Sequence, residues 1–368
     1  MTTSPHVASS RLAVAVIGYT GGVGSRLLKA MDQIGVRPVA LVRSSTMEIV
    51  ECGPDGNATE QGKTKTIPTD YQVLADTLLA WKQQQPDQPN HPPKIPVIAD
   101  VTASSTLQSK YYATWLRAGI HVVAANKGIF AGPAASYQEL LDAAASGRAR
   151  LLHETTVGAG LPVLGTLQGL VASSHEIVTI EGILSGTLAY VLGQVAGGKT
   201  TLSQAVTQAK ALGYTEPDPR DDLNGMDVAR KAVILARLAG IPPAQVELSN
   251  MTIESLVPAA LQDVTVDDFL ARLAEFDSNM AQRVANTEAA GGLLHYAAKI
   301  NVREQTVQVG LLSCDASHPF NHAGPDNMIA ITTNYYKDRP LVIQGAGAGG
   351  DVTATGVLAD ILQCLYQP

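Results

Sequence analysis

Two rhythms of apolar and polar residues run along this chain. The first is the unbroken apolar run from Leu12 to Ile17, too continuous for a half-exposed strand, which predicts a strand buried on both faces of a parallel sheet. The second follows four glycines (Gly18, Gly21, Gly22, Gly24), where Leu27, Leu28, Met31 and Ile34 recur at helical spacing. Residues Pro38 to Arg43 predict a second strand. The segment YQVLADTLLAWKQQ has a helical pattern, Ile95 to Val101 is another buried strand, LQSKYYATWLRAG is a helix, and HVVAANKG is a strand ending in Asn126 and Lys127. This alternation predicts a doubly wound α/β half. Two turn-rich stretches, Cys52 to Pro68 and Gln83 to Lys94, are expected to decorate its surface as loops.

Beyond Leu151 the pattern changes. Glu154 directly follows a short apolar strand, and VGAGLPV is a small-residue turn entering a helix whose apolar face runs through Leu164, Leu167 and Leu170. The carbonyls of such a turn, with one carboxylate, suit a hard cation; the same glycines also suit a plain helix-capping turn. In IVTIEGILSGTLAYVL the run is interrupted at Gly186 and Thr187, either for close approach of a ligand or as a bend between strand and helix. DVARKAVILARLAG predicts an amphipathic helix ending at Gly240, with Val228, Ala232 and Leu235 on one face and Asp227 and Lys231 one turn apart on another. Taken alone, that pair is an ordinary surface ion pair.

Strand, glycine-rich turn, helix and strand in succession make the first segment a candidate dinucleotide site, since glycines admit a pyrophosphate and the helix N-terminus offers it amides. The loop GYTGGVG supplies Gly18, Thr20, Gly21, Gly22, Val23 and Gly24, spaced GxxGxxG, one residue longer than the usual GxGxxG. Thr102, Ser104 and Ser105 stand at a strand end where ligands of open parallel sheets bind, and Lys127 ends another strand at that edge. After the second strand come Arg43, Ser44 and Ser45, where a carboxylate would otherwise hold the ribose 2′-hydroxyl. An arginine there suits a 2′-phosphate, so NADP(H) is expected over NAD(H), with NAD(H) usable.

The densest charge lies in GYTEPDPRDDLNGMDVARK, residues 213–231, which gathers Glu216, Asp218, Asp221, Asp222 and Asp227 in a chain with only 16% charged residues. It is no calcium loop: with Gly225 at the sixth position, the first and twelfth would be Arg220 and Lys231. A carboxylate-rich loop with one lysine suits a small cationic or zwitterionic substrate and a proton donor.

Composition narrows the partners. With 368 residues, two domains are expected. The net charge of −7 argues against nucleic acid, and no apolar run reaches the length of a membrane helix. The N-terminal residues lack the apolar core of a signal peptide, and three widely spaced cysteines (Cys52, Cys314, Cys364) form no disulfide framework, so a cytoplasmic, reducing setting is expected.

The stretches ETTVGAGLPV, GILSGTLAYV, GYTEPDPRDDLNGMDVARK and QGAGAGGDVTATGVLAD, in that order behind the glycine loop and NKG, resemble the homoserine dehydrogenase family over nearly the whole chain. The resemblance implies NAD(P)-dependent interconversion of L-homoserine and L-aspartate 4-semialdehyde, on the route to threonine and methionine. It implies Lys231 as the acid/base lysine and Lys127 as a second lysine near nicotinamide and substrate. It puts Glu216 and Asp227 on the substrate, with Tyr214, Thr187 and Asp222 lining the pocket, and Thr102 and Gly349 on the cofactor. Glu154, Val157, Ala159 and Leu161 become a monovalent-cation site for Na+ or K+, largely through backbone oxygens. It implies a homodimer whose interface lies in the middle region, about Leu151 to Arg339. The expected plan is a Rossmann-type domain over residues 1–150, an α/β substrate-binding and dimerisation domain over 151–339, and a C-terminal segment, 340–368, returning to the first domain. No length remains for a regulatory domain or fused kinase, so feedback control by such a domain is not expected. Aspartate-semialdehyde dehydrogenase, which shares a substrate, needs a nucleophilic cysteine, and none of the three cysteines has suitable surroundings. A non-catalytic nucleotide sensor would have no use for Lys231, Asp227 and Glu216 together.

Overall fold

The computed structural model describes residues 11–50, 64–83 and 94–366. The chain divides into two units, one holding the described residues up to Gly160 and from Ala348 onward, the other Leu161–Gly347.

The first unit is built on seven strands: β1 (Leu12–Ile17), β2 (Ala40–Val42), β3 (Thr46–Val50), β4 (Thr64–Pro68), β5 (Ile95–Asp100), β6 (His121–Ala124) and β7 (Leu151–Leu152). Their order is β4-β3-β2-β1-β5-β6-β7. The ladder β2-β1-β5-β6-β7 is parallel, and every residue of β1, β5 and β6 is buried, as unbroken apolar strands require. From β1 the chain winds to β2 on one side and later to β5 on the other, with Ile17 paired to Asp100 at the strand ends. That reversal is where open parallel sheets place their ligands. The helix Gly22–Gln33 buries Leu27 and Met31 in one core with Ala354, Val357 and Ile361 of the C-terminal helix Gly350–Gln363.

Differences from expectation have local causes. The second strand is shorter than Pro38 to Arg43. The stretch expected as a loop, Cys52 to Pro68, ends in β4, which pairs antiparallel with β3 at the edge of the sheet. Thr64, Lys65 and Thr66 are exposed, so β4 carries no apolar alternation to betray it. Residues 52–63 and 84–93 lie outside the described residues.

The second unit carries six strands: β8 (Ile177–Ile183), β9 (Thr252–Ile253), β10 (Gly292–Asn301), β11 (Thr306–Asp315), β12 (Asn327–Thr333) and β13 (Leu341–Gly345), in the order β13-β12-β8-β10-β11-β9. All pairings are antiparallel except β9 with β11. The helices Gly186–Val195, Met226–Leu238 and Asp277–Ala289 pack against β10. Because β13 pairs with β12, the C-terminal return begins at Ala348 rather than at residue 340. The first unit reaches Gly160 rather than 150 because the turn Glu154–Thr156 packs on the C-terminal helix.

Candidate active site

In the first unit the predicted cofactor residues gather at the edge where β1, β2, β5 and β6 end. Gly18 has a left-handed φ of 85°, its N–H donates to Val42 O at 2.9 Å, and a Cβ there would lie 2.7 Å from Thr102 Cγ2. A Cβ at Gly24 would collide with Gly18 O, so this glycine lets helix and strand pack. Backbone bonding in the helix begins with Ser25 N–H to Gly21 O, leaving the amides of Gly22, Val23 and Gly24 without intrahelical acceptors. Thr20 is exposed in the same turn. Gly349 caps the start of the C-terminal helix with a φ of 127°, and Arg26 Nε, from the second turn of the helix Gly22–Gln33, pairs with Asp351 Oδ1 in the first turn of the C-terminal helix at 3.1 Å.

Two buried side chains brace this edge. Asp100 accepts from Thr102 N–H at 2.9 Å and from the Tyr112 hydroxyl at 2.8 Å; burial raises its carboxyl above the ordinary value, and these bonds oppose that shift. Gln108 donates to Asn126 O at 2.9 Å and accepts from Ile129 N–H at 3.1 Å, holding the loop that carries Lys127. The sequence offers no signal for Gln108, because its partners are backbone atoms of a loop 18 residues away.

Arg43 is exposed just past β2. Its Nε donates to the Tyr19 hydroxyl at 2.7 Å and its guanidinium lies 5.1 Å from that ring's centroid. It is therefore not the loosely solvated strand-end arginine that its position alone suggests.

The second unit gathers the acidic motif. Helix Met226–Leu238 is buried almost all round, so Lys231 is only 9% exposed. Its Nζ donates to Leu184 O at 2.6 Å and pairs with Asp227 Oδ2 at 2.8 Å. The reading of this pair as an ordinary surface ion pair is corrected: one partner is inside. Gly225 starts the helix at φ 75°, and a Cβ there would overlap the Tyr296 hydroxyl. The Thr187 hydroxyl lies 2.5 Å from Tyr214 O and 3.1 Å from Asp222 Oδ1, and Asp222 Oδ2 accepts from Glu216 N–H at 2.8 Å. Thr187, Tyr214, Glu216 and Asp222 thus form one network. Burial raises the Asp222 carboxyl, Glu216 and Asp227 add like-charge repulsion, and the Glu216 amide and Thr187 hydroxyl pull the other way. Glu216 and Tyr214 remain exposed.

Asp218 and Arg220 have a different job. Arg220 grips Asp218 with bonds of 2.7–3.1 Å, covers the Phe269 ring, and donates to the carbonyls of Leu261, Gln262 and Val264. They clasp two loops together, which absorbs part of the motif's charge.

The remaining predicted residues form the turn after β7. Gly158 (φ 77°) and Ala159 (φ 52°) are consecutive left-handed residues, and the carbonyls of Val157 and Ala159 accept no hydrogen bond among the described residues. Glu154 is buried, its N–H donating to Asp360 Oδ2 at 2.9 Å, while Leu161 begins the second unit. Backbone carbonyl oxygens are among the ligands that hard cations take, and no group of three or more His, Cys, Asp or Glu that could hold a metal ion occurs among the described residues. Cys314 and Cys364 are buried thiols pushed up to about 12 by burial, the opposite of an activated nucleophile; Cys52 lies outside the described residues.

Residues 20–154 match the family described as homoserine dehydrogenase, NAD binding domain, and residues 162–362 match that described as homoserine dehydrogenase. A homoserine dehydrogenase of Emericella nidulans is 38% identical over 375 aligned residues, covering 97% of this chain and 99% of its own. A chloroplastic bifunctional aspartokinase/homoserine dehydrogenase of Zea mays is 40% identical over 369 residues, 97% of this chain, which spans 39% of that protein's length. Among solved structures, a Candida auris protein described as of unknown function aligns with a TM-score of 0.84 at 34% identity, covering 96% of this chain and 98% of its own.

Proposed function

This chain belongs to the homoserine dehydrogenase family, and on that premise we propose that it interconverts L-homoserine and L-aspartate 4-semialdehyde with a nicotinamide cofactor, within threonine and methionine biosynthesis. The observation that carries the reading is the Lys231 ammonium, buried beside Asp227 and Leu184 O at the head of an exposed carboxylate loop. When bound, the nicotinamide supplies or accepts the hydride at the carbonyl carbon. As the aldehyde oxygen gains charge, Lys231 stabilises it and donates a proton, and takes that proton back in the oxidation. Asp227, 2.8 Å from Lys231, orients the lysine. Glu216 meets the substrate ammonium; its backbone N–H is held by Asp222, whose other oxygen lies by the Thr187 hydroxyl that also reaches Tyr214 O, so the backbone that carries this carboxylate is fixed before substrate arrives. Lys127, on the loop braced by Gln108, supplies a second positive charge towards nicotinamide and substrate.

The dinucleotide lies on Gly18, Thr20, Gly21, Gly22, Val23 and Gly24, with Thr102 and Gly349 beside it. The free first-turn amides and the left-handed Gly18 and Gly349 support this placement. Arg43 favours NADP(H) over NAD(H). A monovalent cation, Na+ or K+, is held by oxygens of Glu154, Val157, Ala159 and Leu161, stiffening that turn. The protein works as a cytoplasmic homodimer. Buried thiols at Cys314 and Cys364 suit a reducing compartment, and among the described residues no helix is long and apolar enough to cross a membrane. The test is the growth of reduced-nicotinamide absorbance when L-homoserine and NADP+ are added to the purified protein. No change with NADP+ or NAD+ would overturn the reading.

A further inference from the structure

An exposed arginine ordinarily samples many rotamers, and ordering it for a ligand costs entropy. Arg43 is exposed yet held at several points. Its N–H donates to Thr46 O at 2.8 Å, its carbonyl accepts from the Thr69 hydroxyl at 2.8 Å, its Nε is bound to the Tyr19 hydroxyl, and its guanidinium lies over the Tyr19 ring. Tyr19 belongs to the glycine loop, directly after Gly18, so one side chain links the pyrophosphate turn to the end of β2.

A phenol has a single hydrogen. Here the Tyr19 oxygen accepts from Arg43, and its hydrogen goes to Glu48 Oε1 at 3.0 Å. Glu48 sits on β3, paired with Leu41 of β2. Glu48 is thus the carboxylate nearest in the chain that can pair with Arg43 directly, or repel an anion brought to it. The phenol stands between them: Glu48 is engaged by the hydroxyl, and Arg43 is engaged at Nε. The two terminal nitrogens of Arg43 have no partner among the described residues. That edge is the flat pair of donors that grips a phosphate bidentately.

We propose that Tyr19 is the positioning residue that selects the 2′-phosphorylated cofactor, by fixing the Arg43 guanidinium on its ring and hydroxyl and by keeping Glu48 from neutralising it. The proposal rests on the reading of Arg43 as the 2′-phosphate contact and adds two residues to it. Tyr19 touches neither the reacting atoms nor the phosphate; it acts through Arg43.

Binding is measured by calorimetry on the full chain with adenosine 2′,5′-bisphosphate and with AMP, which differ only in the 2′-phosphate. In Tyr19→Phe the bisphosphate should weaken about tenfold, the value of one charge-assisted hydrogen bond, while AMP stays within about twofold of wild type. The kcat/KM ratio for NADPH over NADH should fall in parallel. Tyr19→Phe with Glu48→Gln should recover part of the loss, the part caused by the carboxylate that the missing hydroxyl releases; the part caused by the lost Arg43–Tyr19 bond remains. Glu48→Gln alone, which leaves loop and phenol in place, should tighten the bisphosphate about twofold and leave AMP alone. Equal weakening of both nucleotides in Tyr19→Phe, or no change in either, overturns the proposal, as does an unchanged bisphosphate affinity in Glu48→Gln. Arg43→Ala separates this from the parent reading. If it leaves the bisphosphate preference intact, the parent reading fails and takes this one with it. If it abolishes the preference while Tyr19→Phe does not, the parent stands and Tyr19 alone is wrong.

Discussion

A lysine buried on a helix that packs against a sheet destabilises the fold unless its ammonium is paired, and Lys231 has Asp227 and Leu184 O for that purpose. Lys231→Ala should lower turnover by roughly 10²–10⁴-fold, the range for losing a general acid/base. NADPH affinity, measured by calorimetry, should stay near wild type; turnover near wild type would remove Lys231 from the chemistry. Glu216→Gln should raise the KM for L-homoserine far more than the KM for cofactor, because the lost charge faces the substrate ammonium. Comparable rises in both constants would count against that role. The i, i+4 spacing of Asp227 and Lys231 is plain in the sequence. The burial of Lys231 is not, because apolar periodicity assigns polar residues to the solvent face, and this helix takes both Lys231 and Arg237 inside. Asp218 and Arg220 were equally opaque: they look like site residues by composition, and only the three carbonyls gripped by Arg220 reveal a clasp.

At the level of elements, the start of helix Met226–Leu238 depends on one glycine. Gly225 combines a left-handed φ of 75° with a Tyr296 hydroxyl where its Cβ would stand, and that hydroxyl donates to Glu254 O at 2.5 Å. Gly225→Ala should therefore destabilise by about 2–4 kcal/mol, from backbone strain plus displacement of Tyr296. Gly169→Ala is the contrast. It lies within helix Leu164–Ala172 with nothing within 4 Å of the new Cβ, and should gain about 0.5–1 kcal/mol. Urea midpoints of the two variants check both signs, and a neutral Gly225→Ala would mean that the turn relaxes. The parallel strands were legible because burial on both faces leaves an unbroken apolar run, as in LAVAVI. The edge pair β3 and β4 was not, because edge strands carry polar residues such as Glu48, Lys65 and Thr66 and mimic loops. The glycine loop showed its chemistry through spacing, whereas Tyr19, inside the same loop, gave no sign that it reaches Arg43.

Acid should loosen the first unit through His121. Its Nδ1 accepts the Arg150 N–H at 2.8 Å, and burial first, then the positive charges of Arg150 and Lys82, push the imidazole down to about 4. An unfolded histidine titrates near 6.5, so between about pH 6.5 and 4 the unfolded chain binds a proton that the folded chain refuses. The stabilisation is whole above that window and is lost as pH falls through it, by roughly 1–3 kcal/mol. His121→Asn, which keeps an acceptor for Arg150, should flatten this part of the profile of urea midpoint against pH; an unchanged slope would put the acid sensitivity elsewhere. Assembly is the other property of the whole. In the second unit Val171, Tyr335, Tyr336 and Val342 leave large apolar or aromatic surface exposed, and the His175 ring packs 4.9 Å from Tyr335 and 5.6 Å from Tyr336. The backbone beneath is pinned, since the N–H groups of Tyr335 and Tyr336 both donate to the Thr333 hydroxyl at 3.1 and 3.0 Å. Rigid exposed tyrosines lose little entropy on association, which is why aromatic anchors dominate interface energetics. With the proposed interface in the middle region, sedimentation equilibrium at micromolar concentration should return the mass of two chains. Tyr336→Asp, which sets a charge among those rings, should raise the dimer dissociation constant at least tenfold, to about the micromolar range or beyond. A wild-type chain that sediments as a monomer would refute the homodimer. A dimer indifferent to Tyr336→Asp would keep the assembly and move its interface away from the turn that joins β12 to β13.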